Sequence, residues 1–159
     1  PLVAELSGGR LVCMIRTALY AQFESFSEDG GKTWSAPAPS AYTSPDSPMS
    51  LKSLSVGGFL AVWNPVPDYN TREKDHTFDA NYGRTPLVCA YVSPNGQRTG
   101  RIHILEDDKE SGYCYTAIHE TADDGLLLGY CAGHYTDGLM LNRLRIRKLK
   151  KSEKEELLK

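Results

Sequence analysis

Histidine and cysteine are the side chains in this sequence whose spacing would indicate metal chemistry. The chain has four of each, at His76, His103, His119 and His134 and at Cys13, Cys89, Cys114 and Cys131. Neither set has the HxxxH, HExxH or CxxC spacing that brings ligands to one zinc ion. We therefore predict no metal site and no cofactor. His134 follows the apolar run LLLGYC, and we expect it to line a substrate pocket.

Three of the cysteines lie in the apolar runs LVCMI, PLVCAYV and LGYCAG. Buried cysteine behaves as a small hydrophobic residue, so we expect free thiols inside strands. A disulfide between two neighbouring strands is the alternative.

A long polar segment, residues 64–84, separates two apolar runs and contains aromatic side chains. Loops of this kind often shape substrate pockets. The side chains suited to sugar contacts are Tyr69, Arg72, Asp75, His76 and Tyr82. A mobile surface loop is the alternative. The chain has no Walker A, GxGxxG or GxSxG motif, which argues against nucleotide-binding and serine-hydrolase functions.

The composition is that of one packed domain. The chain has 159 residues, of which 40% are hydrophobic and 24% are charged, ordinary proportions for a globular protein. Residues 143–159 have eight Lys or Arg against three Glu, a balance of +5, which leaves −7 for residues 1–142. An acidic body disfavours nucleic acid as a partner. Residues 148–159 are predicted to form a basic, solvated helical tail.

No stretch approaches the roughly 20 consecutive apolar residues of a membrane-spanning helix, so we predict no membrane span. The first ten residues, PLVAELSGGR, lack the basic and apolar regions of an export signal. A mature secreted chain would have lost that signal, so these residues leave the compartment open. Proline as the first residue indicates processing or truncation.

Alternating apolar and polar residues, with many β-branched and aromatic side chains, indicate strands. Six strands are predicted, at residues 10–17, 20–26, 59–64, 86–92, 101–105 and 126–131. Clusters of Gly, Asp, Asn, Pro and Ser between them indicate turns. No helix is expected before residue 143, and the predicted fold class is all-β.

A loose repeat organises these strands. ELSGGRLVCMI, SLSVGGFLAVW and ETADDGLLLGY each predict two strands joined by a turn at Gly9, Gly58 or Gly125. Further strands after each hairpin give four-stranded antiparallel sheets of about 45 to 50 residues, the length of a propeller blade. The chain would hold about three blades, whereas a closed propeller needs at least about four. We favour a fragment of a longer propeller, and assembly of several copies or a β-sandwich are the alternatives.

The segment SEDGGKTW matches the SxDxGxxW pattern of the Asp-box through Ser27, Asp29, Gly31 and Trp34. In this motif the Ser and Asp side chains bond backbone groups of the turn, glycine accepts a positive φ, and Trp packs below. We therefore interpret it as a structural staple. A degenerate counterpart at residues 93–100, SPNGQRTG, keeps the Ser and a Gly but has neither the Asp nor the Trp.

Asp-boxes occur in sialidases and other BNR-repeat propellers, and the flanking segments extend the likeness over roughly residues 3–147. ELSGGRLVCMIRT and SFSEDGGKTW resemble the central blades of the sialidase superfamily, and GRTPLVCAYVS and GYCYTAIHETADDG resemble the blades that follow. The chain is most similar to uncharacterised BNR-repeat glycosyl hydrolases. The resemblance implies part of a six-bladed β-propeller, with about three blades in residues 1–147.

The resemblance also implies a reaction. Sialidases of this superfamily bind the carboxylate of an acidic sugar with three arginines, attack with a tyrosine assisted by a glutamate, and protonate the leaving group with an aspartic acid. A neutral phenol approaches an anomeric carbon that bears a carboxylate without charge repulsion. Because the pKa of tyrosine is near 10, the phenol needs a neighbouring base at neutral pH. Arginines hold the carboxylate by paired hydrogen bonds and stay charged.

Several residues correspond to positions of that site. Tyr115, in GYCYTAI, matches the nucleophile, and Glu5, in AELSGGRL, matches its glutamate partner. Arg84, in YGRTPLV, matches one carboxylate-binding arginine, and Arg16 matches a second. Many sialidases have that second arginine on the next strand, where this sequence has Gln22. The alternatives are a tyrosine packed between blades, an exposed strand-end carboxylate and surface arginines paired with loop carboxylates.

The first arginine and the aspartic acid of the superfamily belong to blades that precede this chain. We therefore expect a glycoside hydrolase of the sialidase superfamily that is inactive as this chain alone, unless N-terminal blades or a second chain close the ring. The resemblance implies a glycan substrate and favours a secreted or periplasmic protein. The competing class is a non-catalytic propeller that binds glycan or protein. A Glu5 carboxylate within hydrogen-bond reach of the Tyr115 hydroxyl, with Arg84 on the same face, would favour the enzyme.

Overall fold

The chain folds into three antiparallel sheets and one short helix. A computed structural model describes residues 1–65, 84–138 and 141–159. Blade 1 consists of β1 (Leu2–Glu5), β2 (Leu11–Ile15), β3 (Ala21–Ser27) and β4 (Ala38–Thr43). Blade 2 consists of β5 (Ser50–Ser53), β6 (Phe59–Trp63), β7 (Leu87–Val92) and β8 (His103–Glu106). Blade 3 consists of β9 (Ser111–Glu120), β10 (Leu126–His134) and β11 (Arg143–Leu149), and α1 (Lys151–Leu157) follows it.

The strand pattern confirms the all-β prediction. The six predicted strands overlap β2, β3, β6, β7, β8 and β10. The three glycine hairpins join β1 to β2, β5 to β6 and β9 to β10. Gly58 shows why the turns need glycine, since its φ is +70° and a Cβ there would lie 2.5 Å from the Val92 carbonyl oxygen.

Two strands, β4 and β11, are not predicted by the sequence patterns. β4 is an edge strand that contains Pro39, a residue without an N–H that sheets tolerate only at edges, strand starts and bulges. β11 is rich in Arg and Lys, and its apolar Leu144 and Ile146 face solvent. In the sequence, the proline of β4 is typical of a loop, and the basic residues of β11 are typical of a solvated tail. Neither segment was therefore predicted as a strand.

Blade 2 lies between the other two blades, and both of its faces are buried. Every residue of β6 is buried, and the two-residue period of a strand sends alternate side chains to opposite faces. Leu60 and Val62 belong to the apolar cluster shared with blade 3. Phe59, Ala61 and Trp63 belong to the cluster shared with blade 1. The alternation in this single strand thus stacks the three blades side by side.

The outer faces of blades 1 and 3 carry apolar side chains in solvent. Val3 on β1 is 57% exposed, and Leu144 and Ile146 on β11 are 74% and 65% exposed. Large apolar side chains that group on one face indicate a surface suited to contact with further protein.

The connections between strands divide each blade into two ends. At the turn end lie the β1–β2, β3–β4, β5–β6, β7–β8 and β9–β10 connections, where the Ser7 N–H donates to the Pro94 carbonyl oxygen at 2.8 Å. At the loop end lie the β2–β3, β4–β5, β6–β7 and β10–β11 connections, where the Thr43 hydroxyl donates to the Pro65 carbonyl oxygen at 2.7 Å. Residues at opposite ends of a strand are held apart by its length.

The Asp-box forms the β3–β4 turn, at the turn end. The Ser27 hydroxyl donates to the Asp29 carboxylate at 2.8 Å and accepts the Gly31 N–H at 2.9 Å. The Thr33 hydroxyl and N–H both donate to Asp29, and these hydrogen bonds lower the pKa of Asp29 to about 2. The Trp34 indole N–H donates to the Gly31 carbonyl oxygen at 3.0 Å. All of these partners are local, so the motif braces its own turn.

The helix α1 packs against the turn end of blades 2 and 3. Lys154 is 4% exposed and forms an ion pair with Glu120, which ends β9 and also accepts two hydrogen bonds from Ser55. Leu157 and Leu158 pack against the apolar cluster of blades 2 and 3. The prediction of a solvated tail is therefore wrong for this face of the helix.

The cysteines of the chain are free thiols, and Cys114 lies opposite Cys131 in the β9–β10 ladder. Cys89 and Cys114 are buried, whereas Cys13 and Cys131 are partly exposed. Within the described ranges, no helix is long and apolar enough to cross a membrane.

Lys154→Ala is expected to lower the free energy of unfolding by about 2 kcal/mol, because it removes a buried ammonium group that pairs with the partly exposed Glu120. Lys151→Ala on the same helix removes an exposed ion pair with Asp124 and is expected to cost less than about 1 kcal/mol. Both variants replace a lysine of α1 by alanine, so the change in helix propensity is the same in the two. Urea unfolding followed by circular dichroism measures both values. Equal losses would show that the buried pair does not anchor the helix.

Candidate functional site

Three polar side chains, one from each blade, converge at the loop end. Arg16 follows β2, Arg84 precedes β7, and Tyr115 lies in β9. The Arg16 Nη1 donates to the Tyr115 hydroxyl at 3.4 Å, and the Arg84 Cζ lies 5.3 Å from the centre of the Tyr115 ring. The stacking of the blades therefore brings together two arginines and the tyrosine that the sequence resemblance selects.

Tyr115 is turned outward by a β-bulge. The β9–β10 register places Cys131 opposite Cys114 but Gly129 opposite Ala117, so β9 has one extra residue at this point. Tyr115 adopts φ of 57°, in the left-handed region that bulky residues seldom occupy, and is 51% exposed. Bulges next to functional sites re-aim a side chain in this way. Tyr115 is thus presented to the open site and is not packed between blades.

Arg84 is a buried cation without an acidic partner among the described residues. It is 6% exposed, and its guanidinium donates to the Cys114 Sγ at 3.0 Å and the Asp46 carbonyl oxygen at 3.3 Å. Burial raises the pKa of the Cys114 thiol to about 11, against a smaller lowering by Arg84, so the sulfur stays protonated at neutral pH. Because burying an unneutralised charge is costly, this arrangement favours an anionic ligand at Arg84.

Arg16 has an acidic partner. Its Nε donates to the Asp46 Oδ1 at 2.6 Å and its Nη2 donates to the Oδ2 at 3.4 Å, so one guanidinium edge holds the carboxylate. The hydrogen bond that Arg16 donates to Asp46 raises the pKa of Arg16, and the Tyr115 hydroxyl adds to the increase. The Arg16 and Asp46 side chains are 38% and 55% exposed, so the ion pair faces the open side of the site.

Gln22, predicted as a substrate-binding residue, is buried and makes its hydrogen bonds inside the protein. It is 1% exposed, and its amide nitrogen donates to the Ser44 hydroxyl and the Ser47 carbonyl oxygen, both at 2.7 Å. Ser44 and Ser47 are themselves fully buried. Gln22 therefore anchors the β4–β5 connection, which carries Asp46.

Glu5 lies at the turn end and is not brought to Tyr115. In the β1–β2 ladder Glu5 pairs with Leu11, five residues before Arg16 on the same strand and its extension. Five residues of strand span about 16 Å. Because Arg16 contacts the Tyr115 hydroxyl, this backbone separation places Glu5 at the far end of its strand from the phenol, and no hydrogen bond joins the two side chains among the described residues.

His134 lies at the loop end but has other partners. Its ring nitrogens contact the Thr136 hydroxyl at 2.8 Å and the Glu110 carboxylate at 3.1 Å, and its ring packs on Tyr135. In the β9–β10 ladder it pairs with a residue four positions before Tyr115, about 13 Å along the strand. The predicted sugar-contacting residues Tyr69, Arg72, Asp75, His76 and Tyr82 lie outside the described residues. Among the residues the structure covers, no group of three or more His, Cys, Asp or Glu is placed to hold a metal ion.

Asp46 and Cys114 are the site residues that the sequence patterns do not predict. Asp46 lies between two prolines in SPDSP, which indicates a rigid turn, but its place near Arg16 depends on β4 as the preceding strand. Cys114 lies in an apolar strand, where a buried thiol is ordinary. Asp46 could have been found by looking for a carboxylate in the β4–β5 connection, because this connection lies at the same end as the β2–β3 connection that carries Arg16.

Stacked antiparallel blades, with an Asp-box at one end and two arginines beside a tyrosine at the other, define a sialidase-like β-propeller. The leech intramolecular trans-sialidase complexed with 2,7-anhydro-Neu5Ac, prepared by soaking with 3′-sialyllactose, matches with a TM-score of 0.67 and 17% identity over 95% of this chain. The intramolecular trans-sialidase from Ruminococcus gnavus in complex with oseltamivir carboxylate matches with a TM-score of 0.68 and 18% identity over 98%. This chain spans 23% and 32% of their lengths.

The chain belongs to the BNR repeat-like domain family, whose model matches residues 1–129. The family and the two structures confirm the predicted membership of the sialidase-like BNR propellers. At identities of 17% and 18% the structural likeness establishes the fold and not the reaction. A comparison with curated proteins found no match.

Gln22→Ala is expected to lower the free energy of unfolding by about 2 kcal/mol, because it leaves a buried hydroxyl and a carbonyl oxygen without their donor. Gln97→Ala, which changes an exposed glutamine at the turn end, is the control and is expected to change it by less than about 0.5 kcal/mol. Urea unfolding measures both values. A Gln22→Ala variant of unchanged stability and weakened glycan binding would instead place this side chain in the ligand site.

Proposed function

We propose that the loop-end site binds a terminal acidic sugar of a glycan, and that it forms part of the active site of a sialidase-type glycoside hydrolase. The observation that carries the proposal is the buried Arg84, which has no acidic partner among the described residues and faces the exposed Tyr115. Arg84 and Arg16 hold the sugar carboxylate, and Tyr115 is the nucleophile.

The charge balance of the site supports an anionic ligand. Arg16 and Arg84 are cations, and Asp46 is the carboxylate bound between them through its side chain and its backbone oxygen. The three groups together carry one positive charge, which one carboxylate neutralises. A guanidinium presents a planar fork of N–H groups that matches a carboxylate and stays charged at any physiological pH.

Tyr115 suits attack on an anomeric carbon that bears a carboxylate. A phenol carries no charge before it loses its proton, so it approaches the acidic sugar without repulsion, and the hydrogen bond from Arg16 would stabilise the phenolate that forms on proton loss. Glu5 is not part of the proposal, because it lies at the turn end. In this proposal the base that accepts the phenol proton comes from residues beyond the described ranges or from another polypeptide.

The ligands named with the two similar structures are consistent with this substrate class. The leech enzyme is complexed with 2,7-anhydro-Neu5Ac, and the Ruminococcus gnavus enzyme is complexed with oseltamivir carboxylate, which are acidic molecules. We carry over only the acidic sugar as a ligand class. 3′-Sialyllactose is the natural probe, with lactose as its uncharged counterpart.

In this proposal, blades other than blades 1, 2 and 3 complete the propeller ring. The apolar side chains of Val3, Leu144 and Ile146 that face solvent are the surfaces that N-terminal blades or a second chain would cover. The missing members of the sialidase site would arrive with those blades.

A non-catalytic glycan-binding or protein-binding propeller is the second candidate. The separation of Glu5 from Tyr115 favours it, because no carboxylate among the described residues is hydrogen-bonded to the phenol. The two candidates share the arginine site and differ in turnover.

Arg84→Gln is expected to weaken the binding of 3′-sialyllactose at least about tenfold, because charged hydrogen bonds to a carboxylate are lost. Arg16→Gln, at a more exposed position, is expected to weaken it by a smaller factor. Arg101→Gln is the control, since Arg101 is an exposed arginine two residues before β8, at the turn end. Titration calorimetry measures the affinities, with lactose as a second ligand. Wild-type affinity in a folded Arg84→Gln protein would rule out the carboxylate site.

Tyr115→Phe is expected to reduce hydrolysis of 3′-sialyllactose at least about a thousandfold in the natural polypeptide that contains these blades, with affinity changed less than about threefold. Tyr20→Phe is the matched control, because Tyr20 is also exposed, lies at the loop end and has a positive φ. Release of the free sugar is followed by NMR. Unchanged turnover in the Tyr115 variant would remove the nucleophile assignment, and binding without turnover in the wild type would favour the non-catalytic candidate.

A further inference from the structure

We infer that Asp46 determines the ligand specificity of the loop-end site by occupying the guanidinium edge of Arg16, so that the ligand carboxylate is bound mainly by Arg84. The inference rests on the proposed function and names the residue that limits its affinity for anions. Asp46 acts as a resident competitor for the carboxylate of an acidic sugar.

The hydrogen bonds of Arg16 show what remains for a ligand. Its Nε and Nη2 hold the two oxygens of Asp46, and its Nη1 donates to the Tyr115 hydroxyl. A guanidinium binds a carboxylate strongly when two N–H groups on one edge are available together. Both edges of Arg16 already have a partner, whereas among the described residues the guanidinium of Arg84 donates to a neutral thiol and a backbone carbonyl oxygen.

Asp46 is fixed in this position by its buried neighbours. Ser44 and Ser47 are fully buried and are bound by the Gln22 amide, and the Ser47 hydroxyl donates to the Asn64 side chain at 2.8 Å. The Asp46 carbonyl oxygen accepts a hydrogen bond from Arg84. The backbone on both sides of Asp46 is therefore held, and its carboxylate cannot leave the site except by rotation of the side chain.

The exposure of the ion pair argues against a role in stability alone. An exposed Arg–Asp pair contributes little to folding, and the Arg16 and Asp46 side chains are 38% and 55% exposed. The same exposure places the Asp46 charge where a ligand approaches. An acidic sugar therefore meets a negative charge beside Arg16, and the site favours ligands with one carboxylate at Arg84 and neutral hydroxyl groups at Asp46.

The test is the charge removal Asp46→Asn, which keeps the shape of the side chain. We expect Asp46→Asn to bind 3′-sialyllactose about tenfold more tightly at low salt, with a smaller gain at 150 mM salt because the gain is electrostatic. Lactose binding is expected to stay unchanged. Asp123→Asn is the control, since Asp123 is an exposed carboxylate paired with Lys148 at the turn end. Titration calorimetry gives the affinities, and thermal unfolding verifies that both variants are folded.

Acetate, the simplest carboxylate, separates this inference from the proposed function. Its binding is followed by the NMR signals of the arginine side-chain N–H groups, and Asp46→Asn is expected to raise its affinity about tenfold. If acetate gains and 3′-sialyllactose does not bind to either protein, the competitor role of Asp46 stands and the acidic-sugar proposal fails. If Asp46→Asn binds acetate no better than the wild type, or if both proteins bind 3′-sialyllactose and the variant binds it no better, the inference is overturned. A loss of 3′-sialyllactose affinity would make Asp46 a ligand contact.

Discussion

The side chain of Asn64 joins the three blades at the loop end. It follows β6, is fully buried, and donates to the carbonyl oxygens of Pro86 at 3.0 Å and Tyr113 at 3.1 Å. Its own oxygen accepts the Ser47 hydroxyl at 2.8 Å. A buried amide has to satisfy its polar groups inside the protein, and here the partners come from three different segments. A displacement of any blade would break one of these bonds, so the position of the site depends on this joint.

The apolar packing between the blades stabilises the fold and offsets two features of the site that are energetically unfavourable. The buried strand β6 packs on both sides, whereas the site contains a buried Arg84 and a Tyr115 in the left-handed region. Each of these features is costly by itself and persists only where the surrounding structure fixes it. The bulge turns Tyr115 outward, and the neighbouring Cys114 thiol accepts a hydrogen bond from Arg84. Local irregularity and an uncompensated charge at one place are the usual signs of a functional site.

The sequence predicted the hairpins, which depend on neighbouring residues. It did not predict the positions of side chains that depend on strands distant in the sequence. The glycine turns and the Asp-box need only neighbouring residues, and even the degenerate turn at residues 93–100 follows from Ser93 and Asn95, which bond each other as the Ser and Asp of the box do. Glu5 shows the limit of a match by residue type, because its distance from Tyr115 depends on which end of β1 faces the site. Asp46 was not predicted for the same reason, because its place near Arg16 depends on the edge strand β4 that precedes it.

The two arginines of the site show why residue types alone do not define a ligand. Arg84 is buried, and its hydrogen-bond partners in the described part of the chain are a thiol and a backbone carbonyl oxygen, so none of these partners neutralises its charge. Arg16 is partly exposed and its charge is already paired with Asp46. A buried, unpaired guanidinium attracts a carboxylate more strongly than one that shares its charge in water, because the surrounding dielectric is lower. The anion affinity of this propeller therefore depends less on how many arginines converge than on which guanidinium has a free edge.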